Sequence, residues 1–379
     1  MATVFTPEAI QAGLYASYPA VLNKKKQIKA DRKALPWFNF LTKNEGSAPV
    51  IGINASGTNG PIVKYQLTSD LDIQGFERRD VLAFSEAPIE LETQFPWSNV
   101  HMGQEFVHDD IEAQTGMIIV PNAARGQRIG KADSESQALV IVDYWMAKLE
   151  AQDDKFDIAM DLTLLSDNSA NPKLPQGLDA CMPIPAASGL VTTGTLGGKT
   201  RAGNPVLQHY AEVGLTYGVG GTLRAGMTRA RRQANLSLRG MDMGQGGVDF
   251  VMMGAGAIDR YVSFCTANNI QFLTQLGDKS RTADIGFPDT GITFEGLPVV
   301  HNPTFEVLDA LLAPASPWTR RVYMLNSKTW QMSYAPGKKK LLSFPLDPSD
   351  VRVTRVSLDS KNVLIPLAPN ANSVCTIVS

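Results

Sequence analysis

From Ser134 to Ser169 the chain runs without a glycine or a proline. Elsewhere these residues are frequent, 32 glycines and 23 prolines in 379 residues, which favours turns and extended segments over a helical bundle. Within the uninterrupted run Leu139, Val142, Trp145, Met146, Leu149, Phe156, Met160 and Leu164 recur at helical spacing, with one polar gap around Gln152 and Asp153. Ser134 followed by Gln137 matches a capping box. About thirty residues of helix reach about 45 Å, more than twice the ordinary globular length. Heptads are not sustained, so the pattern predicts a helix spanning a flat, extended subunit rather than a coiled coil.

Strand patterns surround this helix. Ile62, Lys64 and Gln66 alternate imperfectly with Val63, Tyr65 and Leu67, after a turn cluster at Ser56–Gly60. Ile89, Leu91, Thr93 and Phe95 share one side of a second strand, with Glu90, Glu92 and Gln94 on the other. A polar stretch from Thr68 to Asp80 lies between them, so the pair reads as a long two-stranded excursion. Such a hairpin is marginal alone in water and needs another chain to lie on. Downstream, 188–203 reads as a Gly/Thr/Ser-rich loop and 205–237 as mainly helical. Val248–Met253 is a short apolar run, and Ala257–Leu276 is helical in pattern. Phe294–Val300 reads as a hairpin, Arg321–Asn326 as a buried strand, and Val351–Val378 as strand-like. The fold class is α+β.

Residues 1–45 differ from the rest. Pro7 and Glu8 open a short predicted helix to about Tyr15. Lys24, Lys25, Lys26, Lys29, Arg32 and Lys33 then stand against a single Asp31, and 1–45 holds seven Lys and Arg against three Asp and Glu, a net of +4. That segment is either a solvated helix face or a mobile arm that touches an acidic partner or nucleic acid. Trp37, Phe38, Phe40 and Leu41 follow it and would tie the arm to a folded surface or a neighbour.

The chemistry-bearing motifs are thin. The whole chain has net charge −2, no sign of a nucleic-acid binder. Cys181, Cys265 and Cys375 are odd in number and widely spaced, which predicts reduced thiols, not a disulfide framework or a zinc site. Gly194–Thr200 resembles a phosphate loop, but Thr193 stands where the first glycine belongs. Gly254-Ala255-Gly256 has Asp259 in place of the third dinucleotide glycine. His108, Asp109, Asp110 and Glu112 form a polar cluster without a second histidine at helical spacing. Arg229, Arg231, Arg232 and Arg239 form a second basic cluster, read as a solvated helix face or, alternatively, as part of a ring of arginines from symmetry-related copies. No catalytic residue, cofactor or metal site is expected. Neither a signal peptide nor a transmembrane helix is expected, for want of a long apolar run.

The order of these elements resembles the major capsid proteins of tailed bacteriophages with the Hong Kong 97-like fold. The residues that carry the resemblance are Phe294-Glu295-Gly296-Leu297-Pro298-Val299-Val300, then Val322-Tyr323-Met324-Leu325-Asn326, then Ser343-Phe344-Pro345-Leu346. Leu164-Leu165-Ser166-Asp167 through Pro175-Gln176-Gly177-Leu178 is similar to the stretch after the long helix in one branch of that family. The resemblance implies an N-terminal arm over 1–50, an E-loop over 55–100 and a P-domain over 101–180 with a spine helix at 134–166. It further implies an A-domain over 181–325 and a return over 326–379. It implies self-assembly into hexamers and pentamers of an icosahedral head in the virion, built in the host cytoplasm around double-stranded DNA. Scaffold, portal and decoration proteins would be further partners, with no membrane. An encapsulin-like compartment shell shares the fold, and an α+β enzyme without a recognisable motif is the remaining alternative. Contacts between subunits or to the lumen would fall on Lys24, Lys25, Lys26, Lys29, Arg32, Lys33, Trp37, Phe38, Arg78, Arg79, Glu90 and Glu92. No lysine occurs between Lys64 and Lys131, so the E-loop tip lacks the nucleophile for an isopeptide cross-link. Arg78 and Arg79 do not replace it, because a guanidinium holds its proton too firmly to attack an amide.

Overall fold

The computed structural model describes residues 35–43, 60–66, 90–107, 135–169, 171–236, 247–268, 289–314, 316–343 and 353–378. The first half of the chain forms α1 (Pro36–Lys43), β1 (Ile62–Gln66), β2 (Glu90–Gln94), β3 (Ser98–Val107), α2 (Glu135–Leu165) and α3 (Leu178–Cys181). Next come β4 (Gly189–Leu190), β5 (Thr195–Leu196), β6 (Lys199–Thr200), β7 (Tyr210–Leu215), α4 (Leu223–Leu236), β8 (Phe250–Met253) and α5 (Ala255–Ala267). The rest is β9 (Asp289–Phe294), β10 (Leu297–His301), α6 (Thr304–Leu312), β11 (Arg321–Leu325), β12 (Trp330–Tyr334), β13 (Leu341–Ser343), β14 (Val353–Pro366) and β15 (Ser373–Ile377). The described residues fall into two units, 99–160 with 334–362, and 35–98 with 161–333 and 363–378.

The predicted long helix is α2, 31 residues and about 46 Å of rise. Leu149, Phe156, Met160 and Leu164 are buried, as their spacing requires. Ser134 of the capping box lies outside the described residues, as do Pro7–Tyr15 and the end of the helical pattern beyond Asn268. The helix stops because Asn168 takes a left-handed conformation (φ 55°) and turns its side chain back. Its Nδ2 donates to the carbonyls of Thr163 (2.9 Å) and Pro175. Ser166 Oγ donates to Thr163 O at 3.2 Å. Gly177 is required where the chain returns: a Cβ there would meet the carbonyls of Ser166 and Thr163. The Ser166–Leu178 motif is thus the structure that ends the long helix.

The larger unit holds a seven-stranded sheet of order β4-β7-β15-β11-β8-β10-β9. The pairs β7–β15 and β8–β10 are parallel and the others antiparallel. β8 and β11 are buried along their whole length, which is why they read as unbroken apolar runs. Alternation sends Val251, Met253, Val322, Met324, Cys375 and Ile377 to one face, where Leu223, Met227 and Ala230 of α4 and Tyr261 and Phe264 of α5 cover them. The opposite residues go to the other face. There Phe250 meets Phe40 of α1 at 5.3 Å and Tyr323 meets Phe305 of α6 at 5.9 Å. Helices therefore cover both faces of this sheet.

The predicted hairpin is β9–β10, joined by Glu295 (φ 48°) and Gly296 (φ 81°). Two consecutive left-handed residues give the turn hand that matches strand twist. Glu295 pays steric strain there. Arg231 Nη1 holds it by donating to its carbonyl and carboxylate at 3.0 and 3.1 Å, and Thr228 Oγ1 by donating at 2.6 Å.

Two segments differ from the sequence expectation. The stretch 205–237 is helical only from Leu223; Tyr210–Leu215 is β7, whose parallel partner β15 lies near the end of the chain. The stretch 188–203 is built from β4, β5 and β6, with Val191, Leu196 and Arg201 buried. The phosphate-loop resemblance resolves into the β5–β6 hairpin, which turns at Gly197 (φ 55°) and Gly198 (φ 76°) and opens no helix.

A second sheet has the order β12-β14-β13, with β3 also paired to β14. In the smaller unit Gln152 of α2 donates to the carbonyls of Met102 (3.0 Å) and Val356 (3.4 Å), tying helix to sheet. Lys340 inserts between Asp153 (2.7 Å) and Asp157 (2.6 Å) of the same helix.

Candidate assembly interface

The hairpin root is the part of the expected interface that the described residues include. β1 and β2 pair with Lys64 opposite Glu92 and Gln66 opposite Glu90. Glu90, Glu92 and Gln94 are exposed while Thr93 and Phe95 are buried, as the alternation predicts. Lys64 Nζ sits 2.8 Å from Glu92 and 3.2 Å from Glu90. Its hydrogen bond and charge hold the Glu92 carboxyl below the usual range, and the two glutamates raise the lysine in turn. These side chains are exposed, so the contact sets strand register more than stability.

The inner side of the root is fixed to the larger unit. Tyr65 Oη donates to Pro366 O at 2.6 Å. Gln94 N donates to Gly197 O at 3.2 Å. A Cβ at Gly197 would lie 2.8 Å from Thr93 Cβ, so glycine lets the β5–β6 turn close on β2. Ile62, Glu92, Thr93, Gln94, Gln176 and Lys199 line the open groove between them.

Of the two anchorages expected for Trp37 and Phe38, a folded surface or a neighbour, the structure shows the first. Trp37 is fully buried, its Nε1 donates to Leu164 O at 3.2 Å, and its ring stacks on Phe40 (5.5 Å) and meets Trp330 edge-on (5.6 Å). Phe38 is buried too, and its backbone N donates to Asp161 Oδ1 at 2.8 Å. Both residues therefore seat α1 on its own chain, at the end of α2, and offer no surface to a neighbour. An eight-residue helix cannot hold itself together, so its aromatics take the nearest apolar seat. Lys24, Lys25, Lys26, Lys29, Arg32, Lys33, Arg78 and Arg79 lie outside the described residues, as does the His108–Glu112 cluster.

Sequence reasoning missed three buried polar nodes. Asp161, buried, accepts from Phe38 N and from Thr304 Oγ1, and desolvation pushes its carboxyl up to about 6. Arg321 pairs with Asp179 at 2.9 Å and lies 3.9 Å over the Trp318 ring. Arg201 is buried and donates to the carbonyls of Leu207 and Cys181, both at 2.8 Å, beside His209. Burial, then the Arg201 charge, lowers His209 to about 3, so it stays neutral. Each node joins residues of different segments rather than of one element, so no spacing could reveal it. Among the described residues no three His, Cys, Asp or Glu side chains cluster as a metal site would need. No described helix is long and apolar enough to cross a membrane.

Compared with known protein families and with curated proteins, the sequence matches none. Compared with solved structures, the chain has the fold of phage capsid subunits. It is similar to the subunit in the capsid asymmetric unit of cyanophage A-1(L), at 12% identity and a TM-score of 0.54 over 95% of this chain and 97% of that one. It is likewise similar to the capsid protein of an empty GTA particle, at 11% identity and a TM-score of 0.50 over 94% of each. The sequence resemblance pointed to this fold.

Proposed function

We propose that this chain is the major capsid protein of a tailed phage, self-assembling into hexamers and pentamers of an icosahedral head that encloses double-stranded DNA. The observation that carries the reading is the near-complete alignment of both chains, 95% and 97%, with a phage capsid subunit. In this reading 1–50 is the N-arm, 55–100 the E-loop, 101–180 with the long helix the P-domain, 181–325 the A-domain and 326–379 the return. The β1–β2 root, held by Tyr65, Gln94 and Gly197, supports an E-loop that lies on a neighbouring copy. The cationic stretch Lys24–Lys33 faces acidic groups, and the exposed Glu90 and Glu92 of a neighbour are a matching surface. Portal, scaffold and decoration proteins would join the shell. It would be built in the host cytoplasm and act as structure, without catalysis.

The test is particle formation by the purified full-length chain, read by light scattering and electron microscopy. Megadalton shells are expected. Deleting Thr68–Pro88 should leave folded subunits that make none; normal shells from that deletion would sink the E-loop role. Replacing Lys24, Lys25, Lys26 and Lys29 with Gln should reduce shell yield before DNA enters. Normal empty shells that package poorly would instead assign the arm to DNA.

A further inference from the structure

Two helices on opposite faces of the seven-stranded sheet have complementary outer surfaces. α4 carries Arg224, Arg229, Arg231 and Arg232 and no acidic residue. Taking these four from the chain's 35 Lys and Arg leaves 31 against 37 Asp and Glu, so a cationic helix stands on an otherwise acidic chain. Arg229 is committed to Glu212 at 2.9 Å and Arg231 to Glu295 at 3.1 Å. Arg232 is exposed and has no ion pair among the described residues. Ala225, Arg229, Arg232, Gln233 and Leu236 line a shallow groove on the outer side of this helix, and Leu236 is 52% exposed.

On the other face α6 reads TFEVLDALL, with two acids and no base. Phe305 and Leu308 bury its inner side. Leu311 and Leu312 stand in solvent at 66% and 51% exposure, two adjacent leucines at one helix end. Asp309 is consumed by the backbone N–H groups of Trp318 (2.5 Å) and Thr319 (2.9 Å). Glu306 is exposed, with the His301 ring Nε2 3.7 Å from its carboxylate.

We propose that α6 of one copy of this chain docks on α4 of the next, with Leu311 and Leu312 entering the groove between Ala225 and Leu236 and Glu306 facing Arg232. This rests on the shell-subunit reading and adds which faces meet. Charge chooses the pairing: α4 against α4 would oppose arginines, and α6 against α6 would oppose carboxylates. Burial of the leucines supplies the affinity, while the solvated ion pair sets register. Because the two faces lie on opposite sides of one sheet, the contact is head-to-tail. Such a contact repeats from copy to copy and closes into a ring when the rotation returns to its start.

The experiment uses the full-length chain with four variants: Leu311→Ser/Leu312→Ser, Arg232→Glu, Glu306→Arg, and the swapped pair Arg232→Glu/Glu306→Arg. All four positions are exposed, so circular dichroism and melting should match wild type, which separates assembly from folding. The leucine variant should raise the concentration for half-assembly by at least about tenfold. Each single reversal should weaken assembly, and the swapped pair should recover most of the loss. A leucine variant that assembles like wild type overturns the proposal, as does a swapped pair no better than the single reversals. Arg232→Glu that assembles normally but binds a 30-base-pair duplex more weakly would make α4 a nucleic-acid surface and overturn it too. A wild-type chain that stays monomeric would instead defeat the shell-subunit reading itself, and this contact with it.

Discussion

At the scale of the residue, Asp161 is a carboxyl whose surroundings depart from what its type suggests. Its carboxyl ordinarily loses its proton near 3.8, yet burial holds the proton on to about 6. The folded chain therefore binds more protons than the unfolded chain between about pH 4 and 6. Stability contributed by this site falls as pH rises through that window, and the cost is fully present above it. Asp161→Asn keeps an acceptor for Phe38 N and removes the charge. The variant should gain on wild type as pH rises from 4.5 to 7.5, by on the order of 3 kcal/mol at the plateau. Urea unfolding at both pH values measures this; a gain no larger at pH 7.5 than at 4.5 would show that Asp161 is not a buried charge. The thiols follow the same physics. Cys181, Cys265 and Cys375 are free and buried, and desolvation raises all three, Cys181 to about 12, so the expectation of reduced thiols accords with their surroundings.

At the scale of the element, the long helix owes its length to the missing Gly and Pro and its end to one side chain. Asn168 tolerates φ 55° and donates to two carbonyls, those of Thr163 and Pro175. Asn168→Ala loses both contacts and keeps the strained backbone. The expected cost is about 1–2 kcal/mol, read as a lower midpoint in denaturant with unchanged slope. Asn168→Gly should recover part of it by relieving strain; a glycine variant no better than alanine would place the whole effect in the lost hydrogen bonds. The hairpins behave the same way, since Glu295-Gly296 and Gly197-Gly198 set their turns locally while their strands need a sheet.

At the scale of the whole molecule, the proposed shell would be held by contacts and not by bonds between subunits. Lys64, at the hairpin root, is already engaged by Glu90 and Glu92, and the sequence offers no other lysine before Lys131. Particles boiled in SDS should therefore run as 41.0 kDa monomers. A ladder whose cross-linked peptides map to 65–100 would refute this. The exposed apolar pairs point the same way, because noncovalent shells need buried area at many weak contacts.

The amino-acid order alone determined the features that depend on neighbours in sequence. The long helix, the alternation of β2, the β9–β10 turn and the buried runs at β8 and β11 all follow from periodicity, glycine placement and unbroken apolar runs within a short window. Their succession sufficed to indicate the capsid-subunit fold. Other features were decided only by the tertiary structure. Tyr210–Leu215 becomes a strand because β15, more than 150 residues later, offers a parallel edge. Trp37 and Phe38, expected to anchor the arm on a folded surface or on a neighbour, are seated in their own chain because the end of α2 and Trp330 form an apolar seat there. Asp161, Arg201 and Arg321 are buried because backbone groups and partners from distant segments converge to satisfy them. A short window records which residues can bury or turn; it holds no information on which distant segment will supply the missing partner, and that pairing is settled only when the chain closes on itself.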